Sequence, residues 1–239
     1  MYLPRHFAAR DAAEVAAFVD SAGAADLVTF DGTRPVASLI PVIWERPGAA
    51  DGAPEGANGA AEGAEAAAVG EYGRLLGHLA LANPQWRAAG PGTIALAIVH
   101  GPQAYVSPSW YPSTARHGKM VPTWNYVSVH FTGPLTVHRD PQWLRDVVGR
   151  LTARHEDGRP SPWHLSDAPS EFIDAQLRAI VGVEVTITSV EAKEKLSQNR
   201  NPEDQAGALA GLRGEPGPGP AAIAGLMAGL AADRAGSQT

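Results

Sequence analysis

Val181, Val183, Val185 and Ile187 alternate with Glu184, Thr186 and Thr188. A period of two fits an extended strand with one apolar face and rules out a helix over the same residues. Such a strand needs partners, and the chain supplies them. Residues 27–30 and 36–44 are rich in β-formers and are separated by Asp31-Gly32, so they read as a hairpin. Val127, Val129 and Phe131 alternate with Ser128, His130 and Thr132, the pattern of a half-buried strand. Residues 93–100 form a nearly continuous apolar run, expected of a strand buried on both faces, and 103–106 continue it. Residues 70–76 read as a further strand, with 78–89 as a short helix or turn after it.

Helices interrupt these strands. Asp11 with Glu14 marks a capped start for a face made by Val15, Phe18 and Val19. Asp140-Pro141 is an N-cap followed by proline at the first helical position, and Trp143, Leu144, Val147, Val148 and Leu151 make its stripe. A further helix is expected over 170–179. Roughly seven hairpin-linked strands with helices between them argue for a mainly β, antiparallel barrel with α-helical additions. A doubly wound sheet would need helices that alternate regularly with strands, and these do not.

The organisation reads as one barrel domain over 1–213, a Gly/Pro linker at 214–220, and a tail at 221–239. In that tail Ile223, Leu226, Met227 and Leu230 mark a short amphipathic helix. Between residues 48 and 70 the chain is mostly Ala and Gly with four acids and no Lys or Arg. That composition packs no core, so the stretch reads as a flexible loop inside the domain.

The chain has 25 acidic and 19 basic side chains, a net charge of −6. Nucleic-acid binding requires clustered positive charge, and no basic stripe or helix-turn-helix pattern is visible, which argues against direct DNA contact. With no cysteine, thiolate catalysis, disulfides and Cys-based metal sites are excluded. The eight histidines show no i, i+4 pair, so no metal centre is expected. No leader pattern and no apolar run of membrane-spanning length is present, which points to a cytoplasmic protein. The Gly-x-Ser-x-Gly and Ser-x-x-Lys patterns of serine-nucleophile enzymes are absent. Gly90-Pro91-Gly92 precedes a strand, the wrong order for a dinucleotide fingerprint.

Three segments carry chemistry. Residues 107–125 pack Trp110, Tyr111, Trp124, three prolines and Arg116, His117 and Lys119 into one connection between strands. A connector so aromatic and so stiff suits a flat ligand or a partner better than it suits solvent. Residues 76–86 bring His78, Asn83 and Trp86 together after a strand, where short polar groups reach a phosphate and a ring. Lys195-Leu-Ser-Gln-Asn-Arg200 sets two cations among hydrogen-bonding side chains, a composition suited to anions.

Five ordered blocks then resemble a known family: Met1-Tyr-Leu-Pro-Arg-His-Phe7, Gly77-His-Leu-Ala-Leu-Ala-Asn-Pro-Gln-Trp86, Gly101-Pro-Gln-Ala-Tyr-Val-Ser-Pro-Ser-Trp-Tyr111, Val121-Pro-Thr-Trp-Asn-Tyr-Val127 and Lys195-Leu-Ser-Gln-Asn-Arg200. They are similar to the motifs of the PaiB-type family, usually labelled FMN-binding negative transcriptional regulators. The resemblance implies an FMN-binding split barrel that works as a homodimer with flavin in a groove between subunits. It offers Trp110, Tyr111 and Trp124 as faces for the ring, and His78, Lys195 and Arg200 as phosphate or edge contacts. Asn83, Trp86, Asn125 and Gln198 complete the motif positions expected near the cofactor. The expected function is redox chemistry on, or sensing of, a small molecule. The family label offers transcriptional repression without a DNA-binding motif as the alternative. A third reading is a biosynthetic step with FMN, haem or no cofactor, because Leu39 stands where the family commonly has His and the connection at 111–120 is longer.

Overall fold

The computed structural model describes residues 1–9, 11–47, 71–90 and 92–236. The acidic stretch read as a loop at 48–70 lies outside them. In chain order the elements begin with α1 (Ala12–Ala22), β1 (Ala24–Phe30), β2 (Pro35–Glu45), β3 (Arg74–Ala80), β4 (Ile94–Val106) and α2 (Pro112–His117). They continue with β5 (Thr123–His138), α3 (Pro141–Glu156), α4 (Ser170–Leu177), β6 (Ile180–Thr186), β7 (Ser189–Lys195), α5 (Pro202–Gly214) and α6 (Pro218–Gly236). The strands pair in the order β4-β1-β2-β3-β6-β5-β7, and a further β4–β5 pairing makes six of them cyclic, as a barrel requires. The expected antiparallel barrel with helical additions is the observed class.

The chain divides into two compact units. One comprises residues 19–98 and 130–190. Here β1 and β2 form the expected hairpin, in register from Ala24↔Pro41 to Phe30↔Pro35. Asp31 closes the turn by accepting from the Thr33 hydroxyl and from the Thr33 and Arg34 amides. The Thr33 hydroxyl first, then those amides, lower its pKa to about 2.

β3 pairs with β2 on one side and β6 on the other. It corrects the sequence reading, because it begins at Arg74 and carries His78 inside the strand instead of starting a helix there. Only Pro84–Ala88 turn, as a short 3-10 segment capped by Asn83. β4 is corrected as well. Ala95, Ala97 and Val99 face inward while Ile94 is exposed, so the apolar run is half-buried and not covered on both faces. β6 shows the converse, since Glu184 is only 2% exposed and both faces are covered.

α3 explains the covering of β6. Asp140 caps it by accepting from the Trp143 amide at 2.7 Å, and Val147 and Leu151 pack with Leu76 of β3. The Trp143 ring fills the space above Gly182, where an added Cβ would lie 2.0 Å from it. It also stacks on His138, with centroids 4.0 Å apart and planes at 8°. The His138 Nε2 is 3.0 Å from the Glu184 carboxylate, and Arg74 lies 3.7 Å from the same oxygen. A buried carboxylate survives only with such partners. α4 completes this layer through Ile173 and Leu177 packed on Leu144.

The other unit comprises residues 1–18, 99–129 and 191–239. The N-terminal segment joins β7 through an Ala8↔Lys193 bridge. Lys193 donates to the Tyr2 carbonyl at 2.9 Å and faces the rings of Tyr2, Phe7 and Tyr126. α5 and α6 pack through Leu212, Ile223, Ala224 and Met227 onto Ala104, Val106 and Tyr111. The C-terminal amphipathic helix therefore docks on its own chain. Full burial of such Leu, Ile and Met side chains stabilises by about 1.5–3 kcal/mol each.

Candidate functional site

The 19–98 and 130–190 unit holds the first cluster. The β-bonded backbone of β3 places Leu79 in the core and turns His78 to the other face. His78 lies in a cleft of about 490 Å³ lined by Ser38, Leu39, Ile40, Pro41, Leu79, Ala80, Asn83 and Ile180. Its Nδ1 is buried and has no hydrogen-bond partner among the described residues. Burial also pushes the imidazole pKa below its ordinary 6.5. The ring is therefore neutral at pH 7 and presents one donor and one acceptor nitrogen. Asn83 anchors the rim twice, donating to the Ser38 hydroxyl at 2.9 Å and accepting from the Gln85 amide at 2.9 Å.

Sequence reasoning grouped Trp86 with these residues, and the structure gives it a different setting. Its Nε1 donates to the Leu81 carbonyl at 3.0 Å, and the guanidiniums of Arg87 and Arg139 lie 5.2 and 5.8 Å from its ring. Gln85 is a structural stitch, donating to the Leu27 carbonyl at 2.8 Å across the hairpin.

The 107–125 connection is more ordered than its composition suggested. It folds into a 3-10 turn, Pro108–Trp110, and then α2. Tyr111 is only 1% exposed and belongs to the helical core. Trp110 packs against the same core, with its ring over Gly211. Asn125 is fully buried and exchanges hydrogen bonds with the Ser197 hydroxyl at 3.0 and 3.2 Å. Gln198 closes the turn after β7, accepting from the Leu196 amide at 2.7 Å and donating to the Glu194 carbonyl. Four of the seven expected residues of this unit are thus tied into its framework.

Trp124, Lys195 and Arg200 keep a side of the side chain in solvent. Trp124 is exposed beside Tyr105, with centroids 6.2 Å apart, and donates to the Gln103 side chain at 3.0 Å. The Lys195 ammonium donates to the Thr123 hydroxyl and the Trp124 carbonyl. Burial, then the charges of Lys193 and Arg200, hold its pKa below the usual 10.5. Arg200 lies 5.2 Å from the Tyr111 ring centroid. Among the described residues, neither Lys195 nor Arg200 forms an ion pair with a carboxylate. A bound anion would offset the desolvation and the neighbouring positive charges that act on Lys195.

Comparison with known proteins adds to this geometry. Residues 1–189 match a family model described as "Putative FMN-binding domain". Protease synthase and sporulation protein PAI 2 of Bacillus subtilis is 27% identical over 227 residues, spanning 95% of this chain and 96% of that protein. An uncharacterized Aspergillus fumigatus protein is 32% identical over 172 residues, with 59% of this chain and 66% of that protein covered. Among solved structures, an FAD- and haem-binding protein from Mycobacterium smegmatis superposes with a TM-score of 0.52 at 16% identity, covering 84% of this chain and 78% of that one. A flavocytochrome from Azotobacter vinelandii gives 0.51 at 14% identity, covering 80% and 72%. At these identities the likeness is one of fold.

Proposed function

The chain belongs to the PaiB-type FMN-binding domain family, and from that premise we propose that it is a flavoprotein whose FMN occupies the His78 cleft and serves redox chemistry on, or sensing of, a small molecule. The His78 cleft carries this reading, because a neutral imidazole with a buried, partnerless Nδ1 lines an open cavity beside Ser38 and Asn83, and a buried polar atom left without a partner marks a position kept for function. The residues present fit the group. A cleft of about 490 Å³ falls in the range that holds cofactors. Its apolar wall of Leu39, Ile40, Pro41 and Ile180 suits a flat ring system, while Ser38, His78 and Asn83 supply polar contacts at the edge.

When bound, an isoalloxazine supplies one- and two-electron transfer. The chain's part is orientation, exclusion of water and control of protons. Neutral His78 holds a hydrogen bond without adding charge, and Asn83 fixes the Ser38 hydroxyl.

The first test is the absorption spectrum of the purified protein. Flavin bands, or their appearance on titration with FMN, are expected. His78→Ala should weaken FMN binding about tenfold, the loss of one buried hydrogen bond. A colourless protein that leaves added FMN free sinks the proposal.

A homodimer is part of the same reading, and one surface favours it. Leu39, Phe30 and Ile94 are 71%, 56% and 55% exposed. They lie on the outward face of β2, β1 and β4, with Ala37, Val28 and Leu96 between them in register. A second copy seated there would cover an apolar patch that a monomer leaves in water. Leu39 also lines the cleft, so the interface would border the flavin. Leu39→Glu is expected to convert a dimer to a monomer in light scattering after gel filtration. A wild-type chain that runs as a monomer at micromolar concentration overturns this part.

A further inference from the structure

We propose that a second small-molecule site, for a carboxylate with an aliphatic body, lies between the start of α3 and the end of α4. A cleft of about 450 Å³ opens there, lined by the apolar Leu81, Pro141, Leu144, Leu177 and Ile180 together with Arg139, Arg178 and Asp174, both arginines being exposed. Its floor is aliphatic, continuous with the Leu144, Ile173 and Leu177 core. Its lining carries two arginines against one aspartate. Asp174 is taken by Arg145, and Asp140, next in sequence to Arg139, is engaged by the Trp143 amide. Among the described residues, neither Arg139 nor Arg178 forms an ion pair with a carboxylate.

The two guanidiniums are positioned but not neutralised. Arg139 lies 5.8 Å from the Trp86 ring centroid, a contact that orients the side chain and leaves its charge intact. Arg178 sits at the C-cap of α4, where the helix dipole favours a cation. That position accounts for its charge but not for its proximity to an apolar cavity, and it spends none of the donors along the guanidinium edge. Two free forks over an aliphatic floor match a carboxylate head and an alkyl body, since arginine binds carboxylates in a two-point geometry. Inorganic phosphate would satisfy the forks and leave the floor wet. A neutral alcohol would cover the floor and leave the forks unpaired.

Calorimetric titration of the purified full chain with sodium octanoate, 1-octanol and inorganic phosphate tests this. Octanoate is expected to bind one site per chain with a dissociation constant on the order of 0.1–1 mM, and the other two at least about tenfold more weakly. Arg178→Met and Arg139→Gln should each weaken octanoate at least about fivefold, with circular dichroism and FMN binding unchanged. Octanol binding as tightly as octanoate overturns the proposal. So does octanoate binding unaltered in both variants, or no octanoate heat at all. The flavin spectrum is read on the same samples, so loss of this site and loss of the FMN reading are separate results.

Discussion

Substituting alanine at Gly133 is expected to lower the thermal midpoint by about 6–12 °C or to leave no soluble protein. Gly133 lies within β5, where the chain passes the end of β6. A Cβ built on it would sit 1.8 Å from the Thr186 carbonyl oxygen, 2.8 Å from its carbon and 3.3 Å from the Ile187 Cα. All three obstacles are backbone, so no rotamer change clears them. The backbone is itself pinned: Ile187 donates to Gly73 at 3.0 Å, Thr188 to Thr132 at 2.9 Å and Leu135 to Thr93 at 2.8 Å. Relieving the clash must break part of this net. Overpacking at such a point costs about 3 kcal/mol or more. A chain of this size loses about 2–4 °C per kcal/mol. Gly149 in α3 is the internal control, because an added Cβ there meets nothing within 4 Å. Gly149→Ala should instead stabilise the helix by about 1 kcal/mol. Differential scanning fluorimetry of the two variants against the parent reads both outcomes. A Gly133→Ala protein that melts with the parent would mean that β5 and β6 do not approach as described.

What the sequence disclosed tracks how local each determinant is. The β1–β2 hairpin and α3 were legible because their signals, Asp31-Gly32 and Asp140-Pro141, act within a few residues. α5 carries the same kind of signal, Asn201-Pro202, with the Asn201 side chain accepting from the Asp204 amide at 2.8 Å. It was missed although the rule that found α3 would have found it. β6 looked half-buried because alternation reports one face; the α3 layer that covers Glu184 is a tertiary fact. β4 erred the other way, since an apolar run does not say whether Ile94 meets another surface. The site shows the same split. Motif order announced the family and the segments that matter. Composition could not separate Lys195 and Arg200, which keep unspent charge, from Ser197 and Gln198, which build the turn between them. Ser197 even adopts a left-handed φ of 65°, a backbone role that no side-chain reading reveals. Tyr111 misled for a related reason, because an aromatic ring suits a core as well as a ligand, and α5 and α6 decide which.

Asp204→Ala is expected to destabilise the protein by about 2 kcal/mol or more, and the deficit should shrink in acid. Asp204 belongs to α5 but serves α2, whose own N-cap residue, Tyr111, makes no side-chain cap. The carboxylate accepts from the Ser113 amide at 3.0 Å, filling that gap from another helix, and from the Asn201 side chain at 2.9 Å. Removing it uncaps α2 at the Ser113 amide and leaves the Asn201 side chain only its 3.3 Å bond to the Ser113 hydroxyl, two losses of about 1 kcal/mol each. The side chain is only 2% exposed, so water does not replace the lost acceptor. Burial alone would raise its pKa; the hydrogen bonds from Ser113 and Asn201, with Arg116 nearby, outweigh it and hold the carboxyl below 3.8. A folded pKa below the unfolded one means the unfolded chain binds the proton more readily. The stabilisation is therefore complete above pH 3.8 and is lost as pH falls through the lowered folded value. Parent and Asp204→Ala melting midpoints should accordingly stay separated at pH 7 and draw together only as the pH falls below 3.8, through the lowered folded value. Parallel curves across that range would show that the carboxylate's charge contributes nothing and that only its shape is needed to join α2 to α5.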